Sequence, residues 1–236
     1  MAKVGQKIEA RNAGWTFEGI EEHFDEHVRL SVPLYDEGHE LACRLGDFFL
    51  PANATVVELG TSTGVLAKTF LDHHKERADI RYVGIDKIEG MLAAARQRCQ
   101  GDPRAEFIND DVAAVALGEP SLVLSYCTMQ FVHPRIRQEI FDKVYRSLQW
   151  GGAFFLFEKV RAPDARFQDI ATQLYHEFKL RNGFDEKEIL NKQRSLKGVL
   201  EPFSTQGNLD LLARAGFPDV MTLIKYVCFE GFLAIK

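Results

Sequence analysis

Apolar residues Phe17, Ile20, Phe24 and Val28 recur at spacings of three and four, a pattern that predicts helix over 15–50 with an interruption at Pro33. A second helical stretch is expected from Asp36 to Phe49, ending ahead of Pro51. Beyond that proline the pattern changes to short apolar runs bounded by turn residues: "TVVEL" at 55–59, "RYVGI" at 81–85, "AEFI" at 105–108, "SLVLSY" at 121–126 and "AFFLFE" at 153–158. Helical patterns at Val65–His74, Gly90–Cys99 and Arg135–Leu148 separate them. Strands alternating with helices imply a parallel sheet covered on both faces. The last two runs, "VMTLIKY" and "CFEGFLAI", have no helix between them, which predicts an antiparallel hairpin at one edge.

Between Glu158 and Asp219 lies more chain than one crossover helix requires, with helical patterns around Phe167–Leu180 and Glu186–Leu200. This stretch reads as an inserted cap. The expected organisation is therefore a single α/β domain over 1–236. It comprises an N-terminal helical segment (1–50), a core (51–158 and 201–236) and a helical cap (159–200).

The 236 residues are 46% hydrophobic and 27% charged, which excludes disordered and fibrous classes. A formal charge of −5 argues against direct nucleic-acid binding, which draws on clustered Lys and Arg. Cys43, Cys99, Cys127 and Cys228 form no C-x-x-C pair, so neither a zinc site nor a disulfide framework is expected. No apolar run reaches the roughly 18 residues of a membrane span, and "MAKVGQKIEARNAG" lacks the apolar centre of a signal peptide. A cytoplasmic location is expected.

The strongest local signal is "VVELGTSTGVLAKTF", a buried strand entering a Gly-rich turn and then a helix. Gly60 and Gly64 let the backbone turn tightly and approach a ligand, and Thr61 and Ser62 lie between them. The spacing is G-x-x-x-G rather than the G-x-G-x-x-G of dinucleotide sites, and Glu58 just before it suits the ammonium of a bound amino acid. That favours S-adenosylmethionine over NAD. Asp86, at the end of the second strand beside Lys87, suits the ribose hydroxyls. Asp110 and Asp111 follow the third strand, where a side chain meets the adenine amino group, with Val112 next to them. Tyr126 ends the fourth strand beside the expected sulfonium. Each residue alone has a duller explanation as a cap or turn residue. Their common order and spacing carry the reading, and seven strands with this ending outline the class I methyltransferase fold, a Rossmann-like arrangement.

Segments spread over most of the chain sharpen it: "WTF" at 15–17, "RLSVPLYDE" at 29–37, "ELGTSTG" at 58–64, "MQF" at 129–131, "GGAFFLFEK" at 151–159, "HEFKLRNGF" at 176–184 and "KQRSL" at 192–196. In these the chain resembles the carboxy-S-adenosylmethionine synthases, a family once grouped with methyltransferases of the tRNA wobble uridine. The resemblance implies that S-adenosylmethionine gains a carboxylate on its transferable methyl group, with prephenate as donor. The methyl group would lose a proton, and the resulting ylide would capture the carbon dioxide released as prephenate loses water and becomes phenylpyruvate. It further implies that Tyr35 and Arg194 hold the new carboxylate, a task suited to a guanidinium's paired hydrogen bonds and a phenol. It also implies a homodimer, in which either the same or the neighbouring subunit can supply the arginine.

Two positions depart from the family pattern. Tyr126 stands where an asparagine is usual, and "LGTSTG" replaces "LGCSLG". The first exchange alters pocket volume and hydrogen bonding beside the sulfonium, and so keeps two alternatives open: a methyltransferase acting on a small molecule, and a catalytically inactive S-adenosylmethionine-binding protein. His23 and His27 stand one helical turn apart, but no third ligand follows at convincing spacing, so no metal site is expected. No G-x-S-x-G elbow suggests a serine hydrolase.

Overall fold

The structure, a computed structural model, describes residues 15–236. The first part of the expected N-terminal helical segment, and the sequence weighed as a signal peptide, lie outside the described residues. Residues 15–20 are not helical, contrary to the periodicity. Gly19 takes φ 75°, and helix α1 begins only at Glu21 (Glu21–Ser31). The apolar spacing there reflects ring packing instead, with Phe17 meeting Phe24 at 6.2 Å and Phe131 at 4.9 Å. Helix α2 (Tyr35–Phe49) follows a single left-handed residue, Leu34 at φ 56°.

The core alternates as the pattern predicts except between β3 and β4, which a helix-free loop joins: β1 (Thr55–Leu59), α3 (Val65–His73), β2 (Arg81–Asp86), α4 (Glu89–Arg98), β3 (Ala105–Asn109), β4 (Leu122–Tyr126), α5 (Pro134–Ser147) and β5 (Ala153–Lys159). The cap contributes α6 (Ala165–Arg181) and α7 (Glu186–Ser195), and the chain closes with α8 (Thr205–Ala215), β6 (Asp219–Tyr226) and β7 (Phe229–Ile235). Helix α7 starts on a capping box between Asp185 and Glu188. It stops at Ser195 rather than Leu200, and Gly198 turns the chain at φ 79°. Helix α8 was not expected from the apolar pattern, although Ser204 caps its start and Gly216, at φ 113°, its end.

The sheet order is β3-β2-β1-β4-β5-β7-β6. All neighbours are parallel except β7, which runs antiparallel to both β5 and β6. Period-two alternation explains why β5 reads as continuous apolar sequence: Phe155 and Phe157 join the core layer that includes Phe70 of α3, while Phe154 and Leu156 join the layer that includes Phe141 of α5. The strand order reverses between β1 and β4, and in sheets of this kind a crevice opens there at the carboxyl ends of the strands. The cap leaves and rejoins the core at one place. Arg161 and Ser204 form a parallel bridge, and Arg161 N donates to Phe203 O at 2.9 Å. Among the described residues no helix is long and apolar enough to cross a membrane.

Candidate active site

A cavity of about 1000 Å³ occupies that crevice, bounded by strand ends on one side and by the N-terminal segment, α6 and α7 on the other. Its strand side is acidic. Gly60, at φ 78°, folds the turn after β1 back so that Gly60 N and Thr61 N both donate to Ile85 O, at 2.8 and 3.0 Å. A β-carbon at Gly60 would lie 2.2 Å from Thr128 Oγ1, so only glycine fits. Ser62 N donates to Asp86 Oδ2 and Ile88 N to Asp86 Oδ1, each at 2.9 Å. These bonds leave lone pairs on both oxygens for a ligand's hydroxyls. Burial raises the Asp86 pKa.

Glu58 is 2% exposed. Thr61 Oγ1 and Tyr82 Oη both donate to its Oε2, at 2.5 and 2.8 Å, and among the described residues Oε1 has no partner. Burial pushes its pKa up to about 8, against the pull of those two hydrogen bonds. A cation is what such a carboxylate lacks. Lys87 and Asp111 are exposed at the cavity wall and Val112 is buried there. Asp110 is outside the lining and accepts from Asp111 N. Gly64, expected at the ligand, does not line the cavity. Its added β-carbon would meet the Ala95 β-carbon at 2.8 Å, so this glycine lets α3 pack against α4.

Tyr35 and Tyr126 line the cavity, their rings 5.6 Å apart and both close to His39. Tyr126 stacks on Phe157 at 4.3 Å. Its hydroxyl is turned toward α2, within hydrogen-bond reach of Leu34 O and Tyr35 O at 3.3 and 3.1 Å. A β-carbon on Gly38 would lie 2.2 Å from that hydroxyl. A helical glycine therefore makes the room that a tyrosine needs at this strand end. Its phenol braces the left-handed turn at Leu34 that delivers Tyr35. Burial holds His39 at a pKa of about 4, hence neutral, and raises the Tyr35 phenol well above its ordinary value.

The cap side is basic. Lys179 of α6 and Lys192 of α7 are 6% and 8% exposed, and Lys159 ends β5 half-buried beside them. Among the described residues none of the three pairs with a carboxylate. Their ammonium groups lie on aromatic faces instead: Lys159 and Lys179 at 4.2 and 4.6 Å from the Tyr175 ring centre, and Lys192 on Trp15. Burial, then the charge of Lys159, lowers the Lys179 pKa to about 7, and burial lowers Lys192 well below its ordinary value. His27 lies 3.0 Å from Lys192 Nζ through Nε2. Burial and the two nearby lysines bring its pKa down to about 3, so the neutral ring accepts from the lysine. Trp15 Nε1 is buried with no acceptor among the described residues. Arg194 lies on the cavity wall, exposed. Of the histidine pair, His23 is exposed and only His27 lines the cavity.

Lys159, Lys179, Lys192, Tyr175 and His39 were not singled out from sequence, and His27 was weighed there only as half of a metal pair. The signal for the lysines lay in "FFLFEK", "HEFKLRNGF" and "KQRSL". The same segments also supply scaffold. The Glu158 carboxylate accepts from the backbone N–H groups of Thr128, Met129 and Gln130 at 2.8–3.1 Å, and Gln130 Oε1 accepts from Lys159 N at 2.9 Å. "MQF" and "FEK" thus lock together and fix the loop after β4.

Residues 56–152 match the family described as a methyltransferase domain. Over 224 residues the chain is 37% identical to a carboxy-S-adenosyl-L-methionine synthase of Staphylococcus epidermidis, covering 94% of this chain and 97% of that protein. It is 34% identical to the synthase of Desulfotalea psychrophila, over 92% of this chain and 89% of the relative. Among solved structures it resembles the S-adenosylmethionine-dependent methyltransferase SibL in its apo form (TM-score 0.65, 16% identity, 93% of this chain and 59% of that one). It also resembles human N-acetylserotonin methyltransferase in complex with S-adenosylmethionine (TM-score 0.57, 18% identity, 97% and 63%). The chain thus spans about three-fifths of either structure, and these two likenesses show the fold. Together with the site they define a Rossmann-like transferase of the class I, S-adenosylmethionine-dependent kind. Within that class, identity and coverage of this order mean that the chain belongs to the carboxy-S-adenosyl-L-methionine synthase family.

Proposed function

We propose that this enzyme transfers a carboxyl group from prephenate to the methyl carbon of S-adenosylmethionine. The observation that carries the reading is the opposed polarity of one cavity. Glu58, Asp86 and Asp111 suit an ammonium, a ribose and an adenine amino group. Lys159, Lys179 and Lys192 converge without a counter-charge, as a dicarboxylate would require. The reaction balances as S-adenosylmethionine plus prephenate giving carboxy-S-adenosylmethionine, phenylpyruvate and water. The proton lost by the methyl group leaves with the hydroxide that prephenate sheds, and the new carbon–carbon bond takes up the expelled carboxyl carbon.

In this reading the chain's own groups position and desolvate rather than react. Glu58 Oε1 accepts from the amino-acid ammonium, and Asp86 accepts from the ribose. The turn at Gly60 brings Thr61 and Ser62 against the ligand, and Lys87, Asp111 and Val112 border the adenosine. Tyr35, fixed by Tyr126, and Arg194 take the new carboxylate. The lysines and Trp15 Nε1 hold the donor. Exposure of Arg194, together with the exposed apolar residues Phe167, Ile170 and Leu174 on α6 and Met221 on β6, supports a homodimer that completes the arginine's setting. The composition supports a cytoplasmic enzyme that works as one domain with its cap.

Mass spectrometry of the small molecule released from denatured protein tests the proposal, together with turnover on added prephenate. The expected result is S-adenosylmethionine heavier by carbon dioxide, absent from Arg194→Ala. Unmodified S-adenosylmethionine, with no carboxylated product after incubation with prephenate, would overturn it and leave methyl transfer to a small molecule as the better account.

A further inference from the structure

The C-terminal ends of α2 and α3 lie together, away from the cavity, and three side chains converge there. Asp47 is in the last turn of α2, His73 ends α3, and His74 caps it. His73 Nε2 lies 3.3 Å from Asp47 Oδ2, and His74 Nδ1 lies 3.6 Å from Asp47 Oδ1. One potential ligand atom from each residue falls within 4.8 Å of the other two.

His74 is the informative member, because it is 6% exposed and one of its ring nitrogens is held by the backbone. Its Nε2 lies 3.1 Å from Cys43 O, a carbonyl of α2, and only a protonated Nε2 makes that bond. With Nε2 so engaged, Nδ1 is the ring atom left facing the Asp47 carboxylate, and in the neutral ring its lone pair and that carboxylate are two donors able to share one cation. Space for the ring was made deliberately: a β-carbon on Gly46 would lie 2.4 Å from His74 Nε2. Two helix C-termini supply negative potential at the same spot, and the last turn of α2 carries no basic residue. Arg77, in the following loop, is committed to Asp79 and to the carbonyls of Leu50 and Pro51.

We infer that Asp47, His73 and His74 form a binding site for a divalent transition-metal cation of the zinc type. Two imidazoles and a carboxylate, with water in a remaining position, are a donor set such ions accept. Bonds of about 2.1 Å in a tetrahedral arrangement place neighbouring ligand atoms about 3.4 Å apart. Each imidazole lies near that distance from one oxygen of the Asp47 carboxylate, at 3.3 and 3.6 Å, and a small rotation of the carboxylate presents a single oxygen to both. The hydrogen bond from Nε2 to Cys43 O is the outer-shell contact that orients a metal-bound histidine. An ion here joins α2 to α3 at the ends opposite those that deliver Tyr35 and the glycine turn, so its role is to hold the cavity's two supporting helices in register.

The test is calorimetric titration of Zn²⁺ into tag-free, chelator-stripped, reduced full-length chain. One zinc per chain is expected, with a raised thermal midpoint. Asp47→Asn and His73→Ala alter partly exposed side chains, so both should keep the wild-type circular dichroism while weakening zinc binding at least tenfold and abolishing the thermal gain. Absence of saturable binding, or binding indifferent to both substitutions, would overturn the inference. So would ¹⁵N NMR finding both His74 nitrogens protonated at neutral pH and unchanged by zinc, since the pair with Asp47 would then be a simple ion pair.

Discussion

At the acidic end of the cavity, Glu58 and Asp86 hang from strand ends and already accept hydrogen bonds from Thr61, Tyr82, Ser62 and Ile88. At the basic end, Lys179 and Lys192 hang from inserted helices, buried without a carboxylate partner among the described residues. The first arrangement is preorganised, since the ligand adds to bonds that exist. The second carries a desolvation cost that aromatic faces and His27 offset only in part, and an anionic ligand relieves the rest. One end is built for precision and the other for selectivity, and stability should respond to the two ligands differently.

The largest separation of the two ends is expected from Glu58→Gln. Losing a charge-assisted hydrogen bond of about 2–3 kcal/mol should weaken S-adenosylmethionine roughly hundredfold by calorimetry, with the lysine end intact. An unchanged affinity would remove Glu58 from the amino-acid site. Next comes Lys179→Met, which keeps volume and removes the buried cation. The Michaelis constant for prephenate should rise by tens of fold with S-adenosylmethionine affinity retained. The ligand-free protein should melt higher, because the lysine destabilises it.

pH sharpens the contrast. The folded pKa of Lys179, about 7, lies below its unfolded value. The unfolded chain therefore binds more protons between there and the ordinary lysine range, and this residue's destabilisation fades as pH rises through that window. Dicarboxylate binding needs the protonated lysine, so affinity should fall up to tenfold per unit above about pH 7. Glu58 runs oppositely. With its pKa raised to about 8, the empty site favours the neutral acid, and S-adenosylmethionine affinity should fall as pH drops below that value. Parallel pH profiles for both ligands would break the comparison. The smallest effect should come from Tyr126→Phe, which removes the hydroxyl's contacts with Leu34 O and Tyr35 O. A loss of about 1 kcal/mol in stability and a several-fold fall in kcat are expected from chemical denaturation and steady-state kinetics.

The strands were legible because "TVVEL" and "SLVLSY" are short, apolar and bounded by turn residues, and the acidic end because it follows the chain order of those strands. The basic end was not. A lysine within a helical pattern reads as solvated, and the burial of Lys179 and Lys192 arises only when α6 and α7 fold over β5. Gly64 was read as a ligand contact because turn glycines share one sequence appearance whether a ligand or, as here, Ala95 lies opposite. The exchange at Tyr126 altered the expected pocket, and its accommodation depends on Gly38, a residue remote in sequence. The Asp47 cluster left no spacing signal, since adjacent histidines reach one point only at a helix end.

The parallel bridge between Arg161 and Ser204 has an evolutionary consequence. The inserted segment begins and ends at neighbouring points, so exchanging residues 162–203 for another sequence leaves the closure entropy of the surrounding chain almost unchanged. That one segment carries Tyr175, Lys179, Lys192 and Arg194, whereas Lys159, Trp15 and the acidic end lie outside it. A lineage can therefore reshape most of the basic end by replacing a single contiguous cassette, and a designer who grafts this one onto a related sheet must bring Lys159 and Trp15 with it.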